Sequence, residues 1–327
     1  MSPILFNNVT RVVYKHLKAK WRDEGHGTVV CGNESTNSTH AMFADDTTLF
    51  ASSKQALVAM IRDVRDALAQ HGLNMNMGKC MIQTSSCNHS TESVDVDGEV
   101  IPVVEATDGF KVLGTQFTLH GRTSVEIKAR MTAAWAKFHT LWPLLGKRDG
   151  NMLKRLQLFD SSVTQTALWC NESWLPTARE KRLLTSTQNQ MLRRIAGPHR
   201  KPDEPWIDWI KRATRIARAA AKNAGIRFWL EDHFRSKWCW AGHVARMSKD
   251  RLAHRSMQWR DSQWWRREAA LPVQARKRRP RETHWFRWED ELRRYADHRG
   301  WTCWKTVAQQ RDVWHQACES FIAYSRK

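Results

Sequence analysis

Apolar residues return at helical spacing over residues 52–71, where Leu57, Ile61, Val64 and Leu68 fall on one face and Gly72 supplies a stop. Ser52, with Gln55 three residues on, reads as a capping box at the start of that helix. Upstream, Thr39 to Phe43 and Thr47 to Ala51 are short runs rich in Thr and Phe, the pattern of two strands. Asp45-Asp46 falls where a two-residue hairpin loop between them belongs, with both carboxylates at the tip. Residues 94–119 read as further short strands broken by Asp97-Gly98 and Asp108-Gly109, dipeptides suited to hairpin turns. The helix is expected to cover one face of the sheet, which makes the first domain α+β.

From about residue 124 the helical period takes over and persists. Thr177-x-x-Glu180 is a second capping box, for a helix whose Leu184, Met191 and Ile195 share a face and whose end is marked by Gly197-Pro198. Lys201-Pro202-Asp203-Glu204-Pro205 has the composition of a linker into a further helical segment rich in Trp and Arg. Leu271 to Thr283 has the composition of an exposed loop, with Arg276, Lys277, Arg278, Arg279 and Arg281 gathered in it. Three readings stay open for that loop: a phosphate-binding arm, a nuclear-import signal, or a solvated basic loop.

Composition narrows the class. With 327 residues, 41% hydrophobic and 26% charged, the chain is long enough for two domains with real cores. No apolar run approaches the length needed to span a bilayer, and the first twenty residues lack a signal-peptide core. Seven cysteines without a Cys-x-x-Cys pair give neither a disulfide framework nor a zinc ribbon. The expectation is an intracellular protein, nuclear or cytoplasmic, with no membrane partner. Cys239 and His243 have the spacing of half a zinc knuckle, but without a second pair nearby helix packing is the default.

The net charge of +20 is unevenly placed: Lys plus Arg against Asp plus Glu is 16 against 15 over residues 1–150 and 37 against 18 over residues 151–327. Fifteen of the eighteen Trp residues lie in the second stretch. Interleaved Arg and Trp suit phosphate contacts and base stacking, while the alternative is Trp in helical cores and Arg outside. Either way the charge calls for an anionic partner.

Four segments in order then carry a resemblance: Ser2-Pro3-Ile4-Leu5-Phe6-Asn7, Met42-Phe43-Ala44-Asp45-Asp46, Gly72-Leu73-Asn74-Met75-Asn76-Met77-Gly78-Lys79 and Phe110-Lys111-Val112-Leu113-Gly114-Thr115-Gln116-Phe117. Together they resemble the later palm motifs of non-LTR (LINE-type) retrotransposon reverse transcriptases. Trp169-Cys170-Asn171-Glu172-Ser173-Trp174, Trp240-Ala241-Gly242-His243 and the tail around Trp288-Glu289-Asp290-Glu291-Leu292 resemble the region such elements carry after the palm. The resemblance implies a partial palm over residues 1–123, a helical thumb-like region over 124–200 and a basic, Trp- and Arg-rich helical region over 201–327. It also implies an RNA template and a DNA primer as partners.

The chemistry implied is nucleotidyl transfer assisted by two Mg2+ (or Mn2+) ions, which favour hard carboxylate oxygens and substrate phosphates. Asp45 is the expected metal ligand, with Asp46 its less tightly engaged neighbour; an ordinary solvated turn is the alternative for both. Lys79 matches a family lysine that would neutralise or protonate the leaving pyrophosphate, and an exposed loop lysine is its alternative. Ser2, Pro3, Phe6 and Asn7 would shape the nucleotide and template pocket, Phe43 would flank the metal turn, and Leu113 and Gly114 would turn the hairpin that holds the primer. These polymerases use a further metal-binding Asp on a strand before the Ser-Pro-x-Leu-Phe segment, and here that segment begins at residue 2. The expectation is therefore a truncated polymerase, inactive alone, or a non-catalytic nucleic-acid-binding remnant.

Overall fold

The computed structural model describes residues 3–29, 37–84, 93–104, 109–118, 123–257 and 287–326. They form two compact units. The first holds the described residues up to 114, with 118 and 248–257; the second holds 115–117, 123–247 and 287–326.

The first unit is built around two helices. Helix α1 (Pro3–Asp23) buries Thr10, Val13, Tyr14, Leu17 and Trp21, a stripe at spacings of three and four. Strands β1 (Thr28–Val29) and β2 (Asn37–Ser38) pair antiparallel after it. Next come strands β3 (His40–Phe43) and β4 (Asp46–Leu49), which form an antiparallel hairpin. Helix α2 (Lys54–Ala69) follows, capped by the Ser53 hydroxyl accepting from Ala56 N. The cap is thus one residue later than the Ser52 capping box expected. Gly72, at φ 71°, ends the helix as foreseen, and Leu73 N donates to Leu68 O.

Helix α2 has two working faces. Met60 and Val64 join Val13, Tyr14, Leu17 and Trp21 in one core, while Ile61 joins Met77, Ile82, Val94, Val96 and Ile101 in another. The second core belongs to a three-stranded sheet in which β7 (Glu99–Val104) lies between parallel β5 (Ile82–Gln83) and antiparallel β6 (Ser93–Val96). Asp97 (φ 56°) and Gly98 (φ 89°) form the β6–β7 turn, as their sequence predicts for a two-residue hairpin. Arg62 and Arg65 of α2 clasp Asp97 at 2.7 and 2.8 Å. Asp63 on the other face accepts from Lys20 Nζ (2.6 Å) and Trp21 Nε1 (2.8 Å), so α2 is tied on both sides. Strands β8 (Phe110–Val112) and β9 (Thr115–Phe117) make a short hairpin; of the Asp108-Gly109 turn, Asp108 lies outside the described residues.

The second unit is helical from Ser124, where the change of period was read. Helices α3 (Ser124–Thr140), α4 (Trp142–Leu145), α5 (Met152–Leu158), α6 (Gln165–Ala167) and α7 (Ala178–Ala196) surround a core that includes Ile127, Phe138, Phe159, Trp174, Leu184, Met191 and Ile195. The Thr177–Glu180 capping box is present with both bonds: Thr177 Oγ1 accepts from Glu180 N at 3.4 Å and Glu180 Oε2 from Thr177 N at 2.7 Å. Residues 201–205 form a bound turn, with Glu204 paired to Arg212 at 2.7 Å and Trp209 Nε1 donating to Pro198 O at 3.0 Å. It leads into α8 (Trp206–Asn223), which packs along α7, so the boundary read at 200/201 falls inside the unit.

Helices α9 (Trp229–Ala245), α11 (Asp290–His298), α12 (Trp304–Gln309) and α13 (Arg311–Ser325) complete the second unit, while the short α10 (Leu252–Ser256) belongs to the first. Trp238 and Trp314 stack at 3.6 Å and exchange hydrogen bonds, each indole N–H donating to the other residue's carbonyl at 2.9 and 3.1 Å. Gly242 makes room for that pair, because a Cβ there would lie 2.7 Å from Trp314 Cδ1. Of the described Trp residues after 150, Trp174, Trp229, Trp238, Trp304 and Trp314 are buried, so core packing accounts for these five, while Trp169, Trp206 and Trp240 are exposed.

Candidate active site

Pairing Phe43 with Asp46 leaves Ala44-Asp45 as the two-residue loop, so the turn lies one residue earlier than the Asp45-Asp46 loop expected. The cause is the inner face of the hairpin. Met42 and Leu49 pack on the α1–α2 core, His40 stacks on Tyr14 at 4.8 Å, and Tyr14 Oη bonds Thr47 Oγ1 at 3.2 Å. Since side chains alternate along a strand, a register that turns His40, Met42, Thr47 and Leu49 inward turns Phe43 and Asp46 outward. Asp45 stands at the tip and Asp46 beside it on the outer face of β4, both exposed; Phe43, opposite Asp46, is 67% exposed. Ala44 takes φ 53°, a left-handed backbone that an L-residue other than glycine enters at some cost.

An open groove of about 470 Å³ runs between α1 and the inner side of this hairpin, lined by Asn7, Thr10, Arg11, Tyr14, Lys15, Lys18, His40, Met42 and Ala44. The structure thereby brings Asn7 of the first segment and Ala44 of the turn to one place. Phe6 is half-buried on the same helix and Pro3 is its first residue, while Ser2 lies outside the described residues. Burial and the nearby Lys18 charge hold the His40 imidazole below its usual range, and burial raises the Tyr14 phenol against the opposing effect of its Thr47 bond. Arg11, Lys15 and Lys18 form no ion pair among the described residues, whereas Lys20 on the same helix is paired with Asp63. The reading from motifs stopped at Asn7 and missed this lining. The signal was available in the spacing of Val13, Tyr14, Leu17 and Trp21, which fixes the outer face on which Arg11, Lys15 and Lys18 recur.

Other expected residues stand elsewhere in the unit. Lys79 ends a single 3₁₀ turn (Met77–Lys79) held by buried Met77, and its side chain is exposed. Leu113 (φ 49°) and Gly114 (φ 80°) are the two central residues of the β8–β9 hairpin. Neither these two nor Lys79 line the groove. Strand β9 is pinned to α3 through buried Glu126, which accepts from Gln116 N at 2.5 Å and Arg130 Nε at 2.5 Å. The basic residues Arg276, Lys277, Arg278, Arg279 and Arg281 lie outside the described residues.

Two exposed carboxylates on neighbouring residues have the right chemistry for one hard, partly hydrated divalent cation, which characteristically keeps several waters and takes one or two carboxylates plus substrate phosphates. Among the described residues no group of three or more His, Cys, Asp or Glu side chains stands where it could hold a metal ion, at this turn or around Cys239 and His243. Likewise, no described helix is long and apolar enough to cross a membrane.

Comparison with known proteins adds direct support for the resemblance. The family described as reverse transcriptase (RNA-dependent DNA polymerase) matches residues 1–117. An uncharacterised transposon-derived protein of Caenorhabditis elegans is 25% identical over 283 residues, covering 85% of this chain and 94% of that protein. The retrovirus-related Pol polyprotein from a type-2 retrotransposable element of Drosophila melanogaster is 34% identical over 129 residues, covering 37% of this chain and 11% of the polyprotein. No solved structure matches. These matches support a reverse transcriptase of retrotransposon origin: the first 117 residues are similar to the reverse-transcriptase family, and most of the chain to a transposon-derived protein.

Proposed function

We propose that residues 1–117 carry the metal-turn part of the palm of a non-LTR retrotransposon RNA-directed DNA polymerase, and that the helical, basic remainder grips its nucleic acid. The observation that supports this most is that Asn7 of the first segment and Ala44, beside Asp45 in the acidic turn, line one groove, with both carboxylates exposed at the tip and outer face of the same hairpin. Asp45 and Asp46 would hold a divalent ion. When bound, it would supply charge stabilisation to the reacting phosphate. Phe43 offers an apolar face beside Asp46, and the backbone of Leu113-Gly114 turns the hairpin proposed to hold the primer end.

A second reading is a nucleic-acid-binding remnant without catalysis. The observation that favours it is the donor set, because two adjacent carboxylates do not by themselves arrange two ions in line with a hydroxyl and a phosphate. One experiment separates the readings. Affinity for a primed RNA template is measured at fixed ionic strength with and without Mg2+, for the parent and for Asp45→Asn, Asp46→Asn, with primer extension followed in the same samples. The polymerase reading expects a Mg2+-dependent gain in the parent that the double variant loses. Equal Mg2+ response in both proteins would leave only the remnant. The two-carboxylate donor set predicts no extension by this chain alone.

A further inference from the structure

Helix α8 presents two opposed stripes. Ala213, Ala217 and Ala221, spaced by four, are buried on the side that meets α7, and their small side chains let the two helices approach closely. On the opposite side Lys211, Arg215 and Lys222 are exposed. At 100° per residue these three fall within an arc of about 40°, a nearly straight line along about 16 Å of helix axis. None of the three forms an ion pair or hydrogen bond among the described residues.

The surroundings leave that charge uncompensated. Arg193 of α7 donates to Thr214 Oγ1 at 2.9 Å, Arg218 of α8 donates to Asn189 Oδ1 at 3.0 Å and lies 3.6 Å above the Phe228 ring, and Arg194 lies 5.0 Å from the Trp135 ring. These hydrogen-bond and ring partners are neutral, and Glu231, the carboxylate that acts on Arg218, is itself paired with Arg326. Glu204 is already taken by Arg212, and the one carboxylate on α8, exposed Asp208, adjoins only the Lys211 end of the line, leaving Arg215 and Lys222 without a carboxylate neighbour on their helix. A rigid ridge with an excess of like charges repels itself, and a polyanion placed along it releases its condensed counterions.

We infer that the outer face of α8, centred on Lys211, Arg215 and Lys222, is a docking surface for the phosphodiester backbone of a nucleic-acid strand. The inference deepens the proposed function by assigning the grip to a particular surface. The ligand is read by its phosphates, so binding there is independent of sequence. A lipid surface fits less well: an interfacial helix needs a continuous free apolar face, whereas the Ala stripe of α8 is covered by α7 and its exposed Trp206, Ile207 and Ile216 are scattered around the helix.

The test uses the full chain and a 20-nucleotide polyuridine RNA. Lysine acetylation read by mass spectrometry is expected to show Lys211 and Lys222 protected severalfold by the RNA, with Lys54 of α2 unchanged. Lys211→Gln, Arg215→Gln, Lys222→Gln, which keeps helix-forming residues, is expected to retain its circular dichroism and to lower the slope of log affinity against log salt by about 2, given about 0.7 per phosphate contact on a single strand. An unchanged slope, unprotected Lys211 and Lys222 on RNA-bound protein, or protection by anionic phosphatidylserine vesicles but not by RNA would overturn the inference. In the first two cases a persisting Mg2+-dependent gain that needs Asp45 and Asp46 leaves the polymerase reading standing. Absence of any RNA binding by the parent would overturn both.

Discussion

Both units contain ion pairs, but the helix behind the acidic turn of the first and the outer face of α8 in the second treat charge differently. In the first, the charges on α2 are matched: Asp63 is satisfied by Lys20 and Trp21, and Asp97 by Arg62 and Arg65, so an unmatched acidic pair stands out at Asp45 and Asp46. In the second, aromatic packing makes the core, and although Lys181 of α7 and Arg212 of α8 are ion-paired, Arg193, Arg194 and Arg218 are held by neutral groups and Lys211, Arg215 and Lys222 by no partner among the described residues. The difference separates two jobs. A catalytic turn needs a small number of groups held in place, and ion pairs with fixed geometry position the helix behind it. A grip on a polyanion needs field, and pairing would abolish it.

If this contrast is right, stability and site chemistry should respond to different residues. Trp314→Ala removes a fully buried ring, its stack on Trp238 and the hydrogen bond its indole N–H donates to Trp238 O, and is expected to cost about 3–5 kcal/mol. Phe43→Ala, beside the acidic pair, is expected to change stability by no more than about 0.5 kcal/mol because the ring is exposed. Urea unfolding of both variants checks the pair. A Phe43→Ala cost comparable to that of Trp314→Ala would make Phe43 a structural residue and break the contrast.

The second unit should also carry an acid limb. His233 is fully buried, its Nδ1 donates to Asn171 O at 2.9 Å, and burial above all, with the nearby Lys237 charge adding to it, holds the ring down to about 3 from an ordinary 6.5. Between those values the unfolded chain carries the proton and the folded chain does not. The stability due to the neutral ring is therefore complete above about 6.5 and is lost as pH falls toward about 3. The slope approaches one proton, about 1.4 kcal/mol per pH unit. His233→Gln should flatten that limb in unfolding measurements from about pH 4 to about pH 7, a range that covers most of the window between about 3 and 6.5, and an identical slope in both proteins would assign the acid sensitivity elsewhere.

The smallest effect belongs to the hairpin tip. Ala44→Gly relieves the left-handed backbone but adds freedom to the unfolded chain, so the net gain should be no more than about 1 kcal/mol. A thermal midpoint that falls on this substitution would mean the added freedom of the unfolded chain and the lost Ala44 methyl together outweigh the relieved strain.

What the sequence made legible were features carried by local chemistry. The Thr177–Glu180 box, the Asp97-Gly98 turn, the glycine stop at Gly72 and the change of period at 124 depend on near neighbours, and the structure has each of them. The two one-residue slips, Ser53 for Ser52 and Ala44-Asp45 for Asp45-Asp46, arose where tertiary packing chose between adjacent registers. Burial of Met42 and Leu49 against α1 and α2 fixed the hairpin, and no local motif encodes that contact. Helix α1 and its cationic lining of Arg11, Lys15 and Lys18 carry no motif beyond Asn7, and only the spacing of Val13, Tyr14, Leu17 and Trp21 marks them. The exposed cation line on α8 was hidden for another reason. Charge counts over a long stretch do not reveal which arginines meet carboxylates and which meet Thr214, Asn189 or an aromatic ring.

The central claim is that Asp45 and Asp46 form a divalent-metal turn, and iron-directed cleavage tests it most directly. Fe2+ takes the place of Mg2+ at carboxylate sites, and with ascorbate and peroxide it generates hydroxyl radicals that cut the chain beside the bound ion. In the presence of a primed RNA template the account predicts cuts confined to the residues around Phe43 to Thr47, suppressed by excess Mg2+ and absent from Asp45→Asn, Asp46→Asn. Cleavage that avoids this turn, or that persists unchanged in the double variant, would contradict it.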